Sequence, residues 1–258
     1  MAGGSDYKSS KAQNRFLSLA IKIMTEIYLA LSDKIIAYSS NIIKDEKLQR
    51  YLYKILVAHR HFIDFDKFKM RQQLNDRDNL VGYIGRLSEE KGTLNFVKAI
   101  PDTLRGKNDA NFLIVGDGHL DGHLRYSIEE YLSEHNLNGK VKLTGWILHD
   151  NLPNYLHELK LVVLPSYTEG LPNIMLEAMA CGTPVLATPV GAMPDFIKDG
   201  ETGFIMENNS PECIANNVLR ALSHPGLQQI ANNGRALVEK EFTYEKAVEG
   251  YREILNKL

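Results

Sequence analysis

The stretch LVVLPSYTEGLPNIMLEAMACGTPVLATP, Leu161 to Pro189, holds a complete structural unit. Four apolar residues end at Pro165, and a second short apolar run, PVLATP, follows about twenty residues later; each reads as a buried strand. Between them Glu169 falls in a loop, and Gly170, Leu171 and Pro172 lead into a helix, with Pro172 suited to its first turn.

Working outward, the same signal recurs in LVGYIG (80–85), NFLIVG (111–116), KVKLTG (140–145) and GFIM (203–206), mostly separated by segments of helical periodicity. Strands alternating with helices imply a parallel sheet whose right-handed crossovers cover both faces. The expected fold is therefore α/β, an open Rossmann-like parallel sheet, with ligands at the carboxyl ends of its strands. Three helical segments close the chain, the last being FTYEKAVEGYREILNKL.

Ahead of Leu80 the pattern is less regular. Residues 1–10 read as a polar leader without the features of a signal peptide. Phe16 to Leu31 is apolar but interrupted by Lys22 and Glu26, so an amphipathic helix packed on protein is expected, with a membrane-surface helix as the other reading. KIIAYS (34–39) and ILVAH (55–59) read as short strands, with a helix between them running through Tyr53. The charged segment HFIDFDKFKMRQQLNDRDN (61–79) resembles an interdomain linker. The expected division is 1–58 and 59–258.

The 258 residues carry 30 Lys and Arg against 32 Asp and Glu, a net charge of -2, which gives no electrostatic reason to expect a nucleic-acid partner. The two cysteines, Cys181 and Cys213, have neither metal-ligand spacing nor a disulfide framework, and a reducing cytosol suits them. Any anion site must be local.

Two segments offer such a site. In IGRLSEEKG, Gly85 and Arg86 leave a strand and Lys91 precedes a helix, so a planar fork and a point charge could hold a phosphate pair, although loop cations are commonly just solvated. At the helix after Pro172, the free N–H groups of Asn173 and Ile174 could meet a diphosphate. Glu169 and Glu177 lie eight residues apart, about 12 Å at helical rise. That separation suits a ligand with hydroxyls at both ends and a diphosphate between, unless Glu177 is merely a solvated helix residue. Gly116, Gly118 and Gly122 imitate a dinucleotide fingerprint, but the next strand ends in Thr144, Gly145 and Trp146 without the required acid, so these glycines read as a tight turn.

GRLSEEKG, the VGDG turn, LTGW followed by LPNYL, and Glu169-x7-Glu177 with EAMACGTPV together resemble the retaining GT-B glycosyltransferases of glycosyltransferase family 4, from about Ser32 to the C-terminus. The resemblance implies a nucleoside diphosphate sugar, UDP-, GDP- or ADP-linked, as donor, and no further cofactor. By the same likeness Arg86 and Lys91 contact the diphosphate, Glu169 the sugar hydroxyls and Glu177 the ribose. Backbone from Gly170 and Leu171 to Ile174 holds the distal phosphate and sugar, and the base lies near Trp146 and Ile147. Asp195 stands where the family often has Glu and reads as structural.

Enzymes of that kind place their site between two Rossmann-like domains, the first holding the acceptor. Only a terminal helix and strand of that first domain are expected here, so this chain would supply the donor-binding half and depend on an excised or separate acceptor domain. No metal is expected, since no Asp-x-Asp follows a strand and the cations and helix terminus already supply positive potential. Competing readings are a catalytically silent nucleotide-sugar-binding subunit and another GT-B activity such as a phosphorylase or epimerase. The acceptor, which could be a glycan, a lipid or a small molecule, is not specified, and the expected location is the cytoplasm or the cytoplasmic face of a membrane.

Overall fold

The computed structural model describes residues 15–58, 61–118 and 123–256; the polar leader, His59 and Gly122 lie outside these residues. The chain opens with helix α1 (Arg15–Leu31), strand β1 (Ile35–Ala37), helix α2 (Ser40–Asp45) and strand β2 (Ile55–Val57). The regular alternation then runs through β3 (Leu80–Ile84), α3 (Thr93–Gly106), β4 (Asn111–Val115), α4 (His123–Glu134), β5 (Val141–Gly145), α5 (Leu152–Glu158) and β6 (Leu161–Leu164). It continues as α6 (Asn173–Ala180), β7 (Val185–Ala187), α7 (Met193–Phe196) and β8 (Phe204–Ile205), and closes with α8 (Pro211–Leu222), α9 (Leu227–Glu241) and α10 (Tyr244–Leu255).

The main sheet has six parallel strands in the order β5-β4-β3-β6-β7-β8, as expected for an open α/β domain. Both faces are buried, which is why its strands read as continuous apolar runs rather than alternating ones. Phe112 and Ile114 of β4 and Leu161 and Val163 of β6 enter one core with α3 and α8. Their neighbours Leu113, Val115, Val162 and Leu164 enter the other with α5 and α6. Gly82 in β3 leaves room for Leu159, whose side chain lies where a Cβ would stand.

The N-terminal segment corrects two expectations. The helix after β1 stops at Asp45 instead of running through Tyr53. Leu48 N–H bonds the Ile43 carbonyl and Lys47 N–H that of Lys44, with Lys47 left-handed at φ 55°, so the helix closes in a Schellman turn. A separate 3-10 turn, Gln49–Lys54, then feeds β2, which pairs in parallel with β1. Helix α1 is amphipathic but is held mainly at its C-terminal end. The buried Lys54 ammonium caps the carbonyls of Ala30 and Ser32 at 2.9 and 2.7 Å, a favourable position for a cation. Leu19, Ile23, Met24, Ile27, Tyr28 and Leu31 remain exposed, against the expectation of a helix packed on protein. No helix among the described residues is long and apolar enough to cross a membrane.

The charged segment 61–79 is not a loose linker. Ile63, Phe68 and Leu74 are buried, and the buried Arg77 guanidinium donates to the carbonyls of Leu156, Leu159, Gln72 and Cys181 and to Thr183 Oγ1. Burial lowers its pKa to about 10, and the acceptors around its two terminal nitrogens hold it as a cation, while Nε is without a partner among the described residues. The segment belts the sheet domain because one arginine gathers the ends of α5 and α6. Helix α10, capped by Thr243 Oγ1 on Lys246 N–H, meets the same segment, where Tyr244 packs on Phe62 edge to face at 5.3 Å.

Candidate active site

The chain leaves β3 toward β4 and β5, then returns to place β6 on the other side of β3. Strands β3 and β6 therefore flank the switch point, where the loops leaving neighbouring strands diverge and open a crevice. The two segments singled out in the sequence meet here.

Gly92 joins the 3-10 turn Glu89–Lys91 to α3 in a left-handed conformation, φ 67°, and a Cβ there would lie 2.1 Å from the Pro165 carbonyl oxygen. Only glycine lets the β3 loop press so closely on the end of β6. As a result Lys91 Nζ reaches Glu169 Oε1 at 2.8 Å across the crevice. Ser166 Oγ donates to the same oxygen at 2.7 Å, and Thr188 Oγ1 donates to the Ser166 carbonyl at 2.6 Å. The Glu169 side chain is 9% exposed, so the pair is screened far less than a surface ion pair. From the other side, a Cβ on Gly191, φ 61°, would lie 2.3 Å from the Glu169 carbonyl oxygen. Ala192 N–H bonds the Gly170 carbonyl at 2.8 Å, which fixes this loop from β7 as well.

Arg86 stands at the mouth of the crevice, 53% exposed and ion-paired to Glu90 on its own loop. Its carbonyl accepts from Tyr83 Oη at 2.6 Å, and burial pushes that phenol well up. Gly85 ends β3, with its N–H bonded to the Val115 carbonyl at 2.9 Å. Pro172 is the N-cap of α6 and provides no side-chain cap, so the first N–H groups of the helix, from Asn173 and Ile174, have no partner in its first turn. Asn173 and Gly170 are exposed, Pro172 and Ile174 half-buried, and Leu171 is anchored in the core.

Glu177 is on the second turn of α6 and only 6% exposed, so it is not a solvated helix residue. Burial raises its pKa from the ordinary value of 4.5, against a hydrogen bond from His149 that lowers it. His149 Nε2 lies 2.7 Å from Glu177 Oε1. Trp146, 67% exposed, and the half-buried Ile147 leave the end of β5 just before His149. Asp195 Oδ2 accepts from Asn41 N–H at 3.2 Å, a bond between α7 and α2 that suits a structural role. Gly191 is held similarly: Asp45 Oδ2 accepts from its N–H at 2.8 Å and Asn41 Nδ2 donates to its carbonyl at 2.7 Å.

Residues 64–237 match the model of the family described as Glycosyl transferases group 1. The chain belongs to that family. It is 31% identical over 219 residues to the alpha-D-kanosaminyltransferase of Streptomyces kanamyceticus, covering 81% of this chain and 55% of that protein. It is 29% identical over 231 residues to an uncharacterized glycosyltransferase of Methanocaldococcus jannaschii, covering 88% of this chain and 60% of that one. The chain thus spans little more than half the length of these relatives. Among solved structures it superposes on Anabaena HepE in complex with UDP with a TM-score of 0.81 at 20% identity, over 96% of this chain and 69% of that one. That likeness concerns the fold, an open parallel α/β sheet matching GT-B glycosyltransferase structures.

The structure brings Arg86, Lys91, Glu169, Gly170 and the α6 terminus to one crevice, and sets Glu177 one turn into the helix. Sequence reasoning missed Ser166, Thr188, Gly191 and His149. The Ser166 hydroxyl, three residues before Glu169, could have been suspected from spacing. His149 gives no local signal, because its partner is 28 residues away and brought to it only by the fold.

Proposed function

We propose that this chain supplies the donor-binding half of a retaining glycosyltransferase of family 4, taking a nucleoside diphosphate sugar. The observation that carries this is the Lys91 to Glu169 contact across the switch point, beside the uncapped N-terminus of α6. A cation and free N–H groups converge where a diphosphate would lie, and a carboxylate marks each end. Glu169, on the loop, takes the sugar hydroxyls; Glu177, deeper on the helix, takes the ribose; and Trp146 and Ile147 border the base.

In the reaction the bond from the anomeric carbon to the phosphate oxygen breaks, and a bond from the same face of that carbon to the acceptor oxygen forms. The acceptor proton passes to the departing phosphate. Lys91, Arg86 and the helix terminus stabilise the negative charge that develops on the diphosphate, in the manner of an oxyanion hole. Glu169 holds the sugar ring against Lys91. HepE carries UDP in its crystal structure, and the kanosaminyltransferase is named for sugar transfer, which supports the same donor chemistry. The acceptor domain, in our reading, faces α1 and the β1–β2 pair, beyond the present crevice.

Calorimetric titration with UDP-, GDP- and ADP-sugars tests the donor reading. Binding of one series with its diphosphate is expected, with little transfer until an acceptor domain is supplied. Binding of none would overturn it, and robust transfer by this chain alone would overturn the half-site reading.

A further inference from the structure

His149 touches one of the two carboxylates assigned to the donor, yet belongs to no motif. It lies in the 3-10 turn His149–Asn151 after β5, its ring 60% exposed and tilted against Phe68 at 5.5 Å. Both ring nitrogens are engaged. Nδ1 lies 3.0 Å from Lys67 Nζ, and Nε2 lies 2.7 Å from Glu177 Oε1.

The chemistry of Lys67 fixes the proton. Its ammonium, paired with Asp150 Oδ1 at 2.6 Å, has donors and no acceptor, so Nδ1 must offer its lone pair. The hydrogen of the neutral ring therefore sits on Nε2 and points at Glu177. The carboxylate is thus met by a donor delivered on a clamped ring; among the described residues that bond uses Oε1 and leaves Oε2 open.

We propose that His149 is the positioning residue for Glu177: it donates to Oε1, keeps the buried carboxylate an acceptor, and turns Oε2 toward the ribose hydroxyls of the donor. This rests on the donor reading above. Buried carboxylates drift toward the neutral acid unless a hydrogen bond favours the ion, and a neutral Glu177 would lose acceptor capacity toward a hydroxyl. Lys67 and Asp150 face His149 from the far side and hold its ring. The Cys181 thiol, four residues after Glu177, stays neutral because burial pushes it up to about 12.

The test uses UDP, GDP and ADP, each beside its 2′,3′-dideoxy form, titrated into the wild-type protein, His149→Ala and His149→Gln. The wild type is expected to prefer the ribo form. His149→Ala should lose about tenfold of that preference, with affinity for the dideoxy form nearly unchanged, as befits one charge-assisted hydrogen bond. His149→Gln, whose amide N–H can replace Nε2–H, should recover most of it. A preference unchanged in His149→Ala, or equal losses for both forms, would overturn the proposal, and tighter ribo binding would mean that the ring occupies the ribose place. A wild type that binds none of the three, or binds ribo and dideoxy forms alike, sinks the donor reading and this proposal with it.

Discussion

Glu169 and Glu177 are eight residues apart and both shielded, but the fold holds them by different means. Glu169 is on a loop, where Lys91 from another strand's loop and Ser166 from its own share one of its oxygens. Glu177 is on a helix, buried, and meets the His149 ring at the mouth of β5. A loop carboxylate paired with a full cation can exchange that partner when a diphosphate arrives. A helix carboxylate met by a clamped ring is held at its place, and burial makes it costly to charge. On the proposed donor placement, the comparison separates a reacting end, held by an exchangeable ion pair, from a recognition end whose contacts are already set.

The largest expected effect tests the reacting end. Lys91→Ala removes a cation that both the diphosphate and Glu169 need, and leaves a shielded carboxylate without its counter-ion. Nucleoside diphosphate sugar binding should fall by about 1.5–3 kcal/mol, and the bare nucleoside much less, when the two are titrated side by side. Equal losses for both would place Lys91 in the fold and not in the site.

Next in size, Glu169→Gln should weaken the intact sugar nucleotide by about tenfold and lower turnover once an acceptor domain is present. The plain diphosphate should bind as well as before, since the amide frees Lys91 for it. If the diphosphate weakened as much as its sugar form, the donor would lie the other way round.

Arg86→Ala should cost less, about 0.5–1 kcal/mol, because the half-exposed guanidinium must leave Glu90 to reach a phosphate. Its contribution should shrink further in high salt, whereas that of the more shielded Lys91 should persist. A salt titration of the two variants measures this, and an Arg86 effect as large as that of Lys91 would erase the difference in burial as an explanation.

The smallest effect is a pH dependence confined to the recognition end. Burial raises the Glu177 pKa above 4.5 in the free protein, and a ribose hydroxyl donating to the carboxylate favours the ionised form. Ribose recognition should therefore be complete above the raised pKa and weaken as pH falls through it. Nucleotide titrations across mildly acidic pH check this, and the dideoxy form should lack the decline. A decline of equal size in the Glu177→Gln variant would assign it to another group.

Much of this architecture was legible because a parallel sheet covered on both faces leaves its mark in short windows. LVVL, NFLIV and LVGYI read as buried strands, and the helix after Pro172 announced itself by its first turn. Gly92 and Lys91 were visible as neighbours. What that position meant was not, because the Pro165 carbonyl that makes glycine necessary is 73 residues away. The charged run 61–79 misled for a related reason. Its charges look solvated until Arg77 is seen among five acceptors drawn from the segment itself, α5 and the end of α6.

The sequence by itself determined the fold class, and it marked a helix terminus and two glutamates at the carboxyl edge of the sheet as the candidate site, since each rests on periodicity, turn chemistry or fixed spacing along one element. Only the tertiary structure decided how the carboxylates are held. The crossover that returns β6 beside β3 brings Lys91 to Glu169, and the end of β5 brings His149 to Glu177. A hydrogen bond between residues 28 or 78 positions apart has no local signature; it exists because strand order, and not chain order, sets which loops share an edge.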